Sequence, residues 1–356
     1  MEKTNWELHP LGELSENFDA RRIPVKEADR IKGPYPYYGA SGIIDMVDGH
    51  LFDGEYLLIA EDGENLRSRK TPIAFMAEGK FWVNNHAHII RGNQKANTKF
   101  LMYYLLQTDI SGFLSGSTIP KLTQDNLNRI PILLPTLLEQ QAIAEILGAF
   151  DDKIELNHRM NRTLESIARA VFRETLYKEW GKSDTVRLGE ICEFSYGKSL
   201  KEDQRTSGQV PVFGSNGQIG WHNEYLAKGP GIIVGRKGNP GVVVWSQDDF
   251  YPIDTTFYVV PKEQNTSLIW LYFVLDSINL PHLSSDSAVP GLNRNIAYMS
   301  EINQPSKVVM EHFDDFVSPI FKEINNNNKV SCILANLRDT LLPKLMDGEV
   351  RVASAL

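Results

Sequence analysis

The chain says nearly the same thing twice. Tyr35-Pro-Tyr-Tyr-Gly-Ala-Ser-Gly42 returns as Val210-Pro-Val-Phe-Gly-Ser-Asn-Gly217, and Leu57-Leu-Ile-Ala-Glu-Asp-Gly63 returns as Ile232-Ile-Val-Gly-Arg-Lys-Gly238. Both pairs lie 175 residues apart (210 − 35 and 232 − 57), so one gapless alignment carries both. Farther along the register drifts: Phe100-Leu-Met-Tyr-Tyr104 matches Ile269-Trp-Leu-Tyr-Phe273 at 169, and Ile119-Pro120 matches Val289-Pro290 at 170. A second copy shorter by five or six residues accounts for the drift (175 − 170 and 175 − 169). Solenoid and propeller repeats run about 20 to 50 residues, so each copy here is a whole domain with an appendage. The expectation is a pseudo-twofold internal repeat that offers two similar surfaces.

With 356 residues, 42% hydrophobic and 23% charged, the chain has room for two or three well-cored soluble domains. The N-terminus lacks the basic and apolar regions of a secretory signal, and runs such as Trp270-Leu-Tyr-Phe-Val-Leu275 are far shorter than a membrane span. A cytoplasmic protein without membrane contact is expected. Cys192 and Cys332 are the only cysteines, and neither has a second ligand at metal-binding spacing. Two buried thiols are expected, with no disulfide framework and no metal. The net charge of −8 weighs mildly against a nucleic-acid partner unless cations are concentrated locally.

After Pro135 the pattern becomes helical. Ile143, Leu147, Phe150 and Ile154 recur at the spacing of a coiled-coil seam, which Leu164, Ala168 and Val171 continue. Shifted by 170, the same seam reads Phe313, Val317, Ile320, Ile324, Asn327, Ser331, Leu334, Arg338 and Leu341. Asn157 and Asn161 interrupt the first seam, and Asn327 interrupts the second at the equivalent place. A buried asparagine costs stability but fixes helix register, so these three residues are the expected register pins of two long antiparallel helices packed on each other. The competing expectation is that each helix packs only on its own copy.

Within each copy, short apolar runs alternate with glycine-rich turns and one helix follows, Lys99 to Gln107 and Ser267 to Ser277. That is an α+β pattern of short, mostly antiparallel strands. No phosphate-binding loop, H-E-x-x-H, G-x-S-x-G or dinucleotide fingerprint occurs. Asn239-Pro240 reads as a turn, and the carboxylate pairs Asp151-Asp152 and Asp314-Asp315 as solvated helix faces. His86 and His88 are spaced to share one side of a strand, without further ligands. What remains is polar and basic loops. Gly235-Arg-Lys-Gly-Asn-Pro-Gly241 carries Arg236 and Lys237, with Arg67, Arg69 and Lys70 expected in the corresponding region of the first copy. Ser115 to Lys121, with Ser117, Thr118 and Lys121, corresponds to Ser285 to Arg294, with Ser287 and Arg294. These residue types contact phosphates and major-groove base edges, and all ten named side chains are candidate DNA contacts.

The whole layout resembles the specificity subunit of type I restriction-modification systems. The resemblance rests on Leu133-Leu-Pro135, on the phrase Leu138-Glu-Gln-Gln-Ala-Ile-Ala-Glu-Ile-Leu147 running through Asp151-Asp-Lys-Ile-Glu-Leu-Asn157, and on the two repeated Tyr37 to Gly42 and Phe213 to Gly217 segments. Asn325-Asn-Asn-Asn328 departs from the usual phrase in the second helix. The resemblance implies target-recognition domains at 1–137 and 181–307, conserved long helices at 138–180 and 308–347, and a C-terminal tail at 348–356. It also implies a non-catalytic subunit that binds double-stranded DNA. Each domain would read half of an asymmetric bipartite target, and the helices would set the spacer. The implied partners are two adenine-N6 methyltransferase subunits, which would hold S-adenosylmethionine, and motor-nuclease restriction subunits. This chain itself would need no cofactor. Two readings of other classes stay open, a scaffold that no longer reads DNA and an enzyme.

Overall fold

The computed structural model describes residues 6–179, 181–262, 266–285 and 291–352. Each copy begins and ends on one antiparallel ribbon, Glu7–Pro10 with Pro131–Leu134 in the first and Asp184–Arg187 with Glu301–Gln304 in the second. The ribbon brings the two ends of a copy together just before its long helix. Inside it, a four-stranded antiparallel sheet has the same order in both copies: Ser15–Asn17, Ala87–Gly92, Tyr56–Ala60, Ala74–Ala77 in the first, and Cys192–Tyr196, Thr256–Pro261, Gly231–Gly235, Val243–Ser246 in the second. Tyr56–Ala60 and Gly231–Gly235 are buried at every residue, which is why both read as unbroken apolar runs.

The repeated Tyr-Gly-Ala-Ser-Gly and Phe-Gly-Ser-Asn-Gly segments form hairpins, Lys32–Gly39 with Gly42–Val47 and Val210–Gly214 with Gly217–His222. Gly42 and Gly217 sit at φ +115° and +105°, a conformation that side chains with a Cβ rarely adopt. The turn chemistry therefore explains why that phrase recurs. Each hairpin also pairs in parallel with a short strand, Lys80–Val83 or Tyr251–Pro252. The helices Thr98–Gln107 and Leu268–Ser277 start on N-caps, Asn97 accepting from the Phe100 amide and Ser267 from the Trp270 amide. The structure adds short helices that the sequence pattern did not disclose, Leu11–Leu14 packed on Gln124–Asn128 in the first copy and Leu188–Ile191 on Arg294–Tyr298 in the second. Single-turn helices carry too few residues for periodicity to register.

The long helices run Leu137–Lys178 and Lys307–Met346. The first opens on a capping box, with Thr136 Oγ1 accepting from the Glu139 amide and Glu139 Oε2 accepting from the Thr136 amide. The chain divides into two compact units, residues 1–155 with 331–356, and residues 156–330. Each unit holds the start of one long helix and the end of the other, so neither helix packs only on its own copy.

In the first unit, Ile143 and Leu147 from the start of the first helix share a core with Leu345 and Met346 from the end of the second. Asp151 joins them, accepting from the Tyr103 hydroxyl at 2.6 Å and pairing with Arg338. In the second unit, Ala168 and Phe172 pack among Met310, Phe313, Val317 and Phe321, with the Phe172 and Phe313 rings 6.0 Å apart. The segments run antiparallel in each unit, since residue numbers rise along one as they fall along the other. Asn157, Asn161 and Asn327 meet in the second unit. Asn327 Nδ2 donates to Asn161 Oδ1 at 2.9 Å, Asn161 Nδ2 to Asn328 Oδ1 at 2.8 Å, and Asn157 Nδ2 to the Asn327 carbonyl at 3.4 Å.

The expectation of two buried thiols holds for one of them. Cys192 is buried but Cys332 is exposed. Cys332 follows the buried Ser331, and one residue along a helix is a turn of about 100° away from the seam. Helix phase overrides the preference of a thiol for the interior.

Leu345 is 2% exposed although it lies 253 residues (345 − 92) beyond the last strand of the sheet whose core it shares. Leu345→Ala should destabilise the first unit by about 2 to 5 kcal/mol, seen as faster amide exchange in Tyr56–Ala60. Ile333→Ala on the exposed side of the same helix should change stability by less than about 0.5 kcal/mol.

Candidate nucleic-acid interface

At the end of each central strand, the two copies make the same backbone contacts with opposite side chains. The Leu122 amide donates to the Glu61 carbonyl at 2.8 Å, and the Leu292 amide donates to the Arg236 carbonyl at 2.9 Å. Bridges Asp62–Lys121 and Lys237–Gly291 lie beside them. The offsets are those of the sequence repeat, 175 for 61 to 236 and 62 to 237, and 170 for 121 to 291 and 122 to 292. Hence Glu61-Asp62 and Arg236-Lys237 occupy one position of the shared fold, and the charge there is inverted.

In the first copy the position is the centre of a partly buried ion network. Glu61 pairs with Arg22 at 2.5 Å and with Lys121 at 3.1 Å. The buried His88 faces Asp19 Oδ2 at 2.6 Å through one ring nitrogen and the Leu122 carbonyl at 2.7 Å through the other. Asp19 also accepts from the Ile89 amide at 2.8 Å. Burial works against the Asp19 charge, but the hydrogen bond and charge of His88, the Ile89 amide and Arg22 outweigh it and hold the carboxyl below its ordinary range. Glu61 is likewise held low, burial being outweighed by Arg22, Lys121 and the charge of His88. Outside this network His86 faces Asp62 at 2.8 Å. His86 and His88 do not share a strand face, because the strand begins only at Ala87.

In the second copy the equivalent residues are aromatic and cationic. Arg236 lies over Tyr196 at 4.9 Å and over Phe257 at 5.9 Å, and Arg294 lies over Tyr196 at 5.2 Å and over Tyr298 at 5.9 Å. Each guanidinium is anchored by one backbone acceptor, Arg236 on the Asp254 carbonyl at 3.0 Å and Arg294 on the Phe194 carbonyl at 3.2 Å. A cleft of about 320 Å³ opens between Tyr196, Arg236, Lys237, Phe257 and the segment from Gly291 to Asn295.

The structure therefore brings Arg236, Lys237 and Arg294 together. Ser287 lies outside the described residues. In the first copy, Arg67 donates to the Gly116 carbonyl at 3.0 Å and so joins the loop that carries the exposed Ser117 and Thr118. Ser115 and Lys121 close that loop through reciprocal amide-to-carbonyl bonds of 2.8 Å. Arg69 turns away. It sits at φ +50° after the short helix Asn65–Ser68, and its guanidinium bonds the Leu105 and Thr108 carbonyls at the end of the neighbouring helix, where burial lowers its pKa. Its geometry is that of a helix-end clamp. Lys70 beside it is exposed. Arg67, Arg69 and Lys70 do not occupy the counterpart of Arg236 and Lys237, which is held by Glu61 and Asp62.

The sequence pattern did not single out Tyr196, Asp19 or Arg22, and it placed His88 beside His86 rather than against Asp19. For Tyr196 a signal existed: Cys192 and Phe194 are buried on alternate positions of its strand, and Tyr196 continues that face past the end of the core, 51% exposed. For the first-copy network there was none, since Asp19, Glu61 and His88 are far apart in sequence.

Residues 3–166 and 179–306 match the family model described as the type I restriction modification DNA specificity domain. A putative type I restriction enzyme specificity subunit of Haemophilus influenzae is 36% identical over 221 residues, covering 60% of this chain and 57% of that protein's length. The MjaIX specificity subunit of Methanocaldococcus jannaschii is 27% identical over 354 residues, covering 83% of this chain and 79% of its own. A crystal structure of the S subunit of a type I restriction-modification system from M. genitalium superposes with a TM-score of 0.70 at 19% identity, covering 97% of each chain, a likeness of fold. Among the described residues no helix is long and apolar enough to cross a membrane.

The lowered carboxyls fix a pH dependence. Asp19 and Glu61 have ordinary values of 3.8 and 4.5 and lie below them in the folded protein. Their contribution is thus complete above those values and is lost as pH falls through the lowered folded values. Urea unfolding followed in the first unit should weaken progressively below about pH 4.5, and Asp19→Asn should flatten that slope. In the second unit Asp314 works the opposite way, because burial and the neighbouring Asp315 and Glu311 raise it despite the Ser267 hydroxyl.

Proposed function

The chain belongs to the type I restriction modification DNA specificity family, and we propose that its two globular copies each read one half of an asymmetric bipartite DNA target. One observation supports this reading: the same backbone contacts at the strand ends hold Glu61-Asp62, engaged in ion pairs, in one copy and the cleft-lining Arg236-Lys237 in the other. A shared fold with inverted side chains suits two readers of different base sequence, because base edges differ in donors and acceptors. The long helices, of 42 and 40 residues, set the separation of the half-sites. At about 1.5 Å per residue each spans about 60 Å, and half-site spacing follows protein geometry.

Chemistry belongs to partners in this reading. Two adenine-N6 methyltransferase subunits dock on the helices and bring S-adenosylmethionine, and motor-nuclease subunits join them for restriction. Adenine methylation requires the base to be flipped out of the duplex, so the role of this chain is register rather than catalysis. The net charge of −8 implies that the partner subunits contribute phosphate contacts.

The test is to reconstitute the chain with its methyltransferase and map methylated adenines on random DNA. A single motif of two unlike halves around a fixed gap is expected. A complex that forms but methylates without a motif would leave a scaffold and refute the proposal.

A further inference from the structure

The second-copy cleft differs from the cationic clusters of the first copy and the long helices in how its charges are held. In the first copy, Arg22 pairs with Glu61 and Asp19, Lys121 with Glu61, and of the two arginines over Phe18, Arg21 and Arg91, the second is paired with Glu16. Arg30 pairs with Asp45, and Arg338 with Asp151. Arg236 and Arg294 instead converge on one phenol ring, and among the described residues neither has a carboxylate partner. Two guanidiniums beside one another repel, and the face of an aromatic ring offsets only part of that cost. An arrangement of this kind is completed by a ligand that supplies acceptors.

The way each arginine is fixed narrows the ligand. One N–H of each is bound to a backbone carbonyl, and the guanidinium packs on the ring, so the plane of the group is set before any ligand arrives. Planar forks oriented in advance suit a ligand with two adjacent acceptors, which in DNA is a phosphate or a base edge, and the salt dependence tested below separates the two. In the major groove guanine is the base that presents two acceptors, O6 and N7, side by side.

We propose that Tyr196 is a positioning residue that holds Arg236 and Arg294 as a guanine-reading site, and that the half-target read by the second copy contains guanine where this cleft meets the groove. The inference rests on the reading of the chain as a two-half DNA reader and adds the base class and the residue that sets it. The inverted counterpart fits the same logic. His88 and Phe257 hold the same register against Ile59 and Val234, so Asp19 on His88 stands where the second copy has Tyr196 beside Phe257. Asp19 and Glu61 offer no such fork, so the first copy makes no guanine contact at this position.

The experiment uses the chain reconstituted with its methyltransferase subunits, with methylation motifs mapped for the wild type, Arg236→Gln, Tyr196→Ala and Tyr196→Phe. Tyr196 is half exposed, and methylation specified by the unaltered half reports that each variant is folded. Expected is a guanine in the half-target relaxed by Arg236→Gln, with about tenfold loss of discrimination at that base in Tyr196→Ala, the scale of one bidentate contact. Tyr196→Phe, which keeps the ring, should rescue recognition. Replacing that guanine with 7-deazaguanine should cost the wild type about tenfold in affinity and Arg236→Gln almost nothing. A second half without guanine overturns the inference, as does a Tyr196→Ala variant that keeps its discrimination. Equal weakening on all sequences with a shallower salt dependence also overturns it, by marking a phosphate contact. A wild-type complex that yields no motif overturns the parent reading itself.

Discussion

Each globular half is closed by the far end of a helix that began in the other copy's stretch of sequence. Leu345 and Met346 sit in the core of the first unit, 253 residues or more (345 − 92) after its sheet is complete, and Ala168 and Phe172 sit in the core of the second before its sheet begins. Burying such side chains contributes about 2 kcal/mol each, set against a net stability of only about 5 to 15 kcal/mol for a domain. The long helices are therefore part of both cores as well as connectors. Their antiparallel run in each unit follows from that burial, and the polar contacts add direction to it. Asp151 is held from two sides by Tyr103 and Arg338, while the asparagines of the second unit bond each other.

Much of this was legible because it is written in periods and repeats. The seam at Ile143, Leu147, Phe313 and Val317 is buried as its spacing requires, and the offset of 175 relates equivalent strands of the two copies. Asn157, Asn161 and Asn327 could be named as one cluster because an apolar seam tolerates a polar side chain where another polar side chain meets it. Contacts made by tertiary geometry were not legible. Arg69 looked like a surface cation in a basic run, and only the position of the neighbouring helix end reveals what its guanidinium binds. Cys332 looked like a core thiol because residue type was weighed above helix phase. The match of Glu61-Asp62 with Arg236-Lys237 was already in the repeat at offset 175 and the bridges agree with it; the looser placing of Arg67-Ser-Arg-Lys70 in the same region followed similarity of charge.

A fold that repeats its hairpins, its ribbons and its strand-end hydrogen bonds has diverged most in chemistry where Asp19, Glu61 and His88 stand in one copy and Tyr196, Arg236 and Phe257 in the other. The first copy holds a dense network there, with His88 and Asp19 out of solvent; the second holds stacked cations beside an open cleft. The same positions serve internal structure in one half and face outward in the other. Two descendants of one module thus divide differently what they bury and what they present.

The strand-end hydrogen bonds from Leu122 to Glu61 and from Leu292 to Arg236 use only main-chain atoms. The residue that can define what a half recognises is thereby held by a bond that any amino acid except proline could sustain from either side. Folding and recognition are exerted on different atoms of the same residue, so a lineage can trade an acid for a base at this point without losing the sheet. Where the side chain also holds an internal ion network, as Glu61 does with Arg22 and Lys121, its partners must change with it, whereas Arg236, with no carboxylate partner among the described residues, can be exchanged alone.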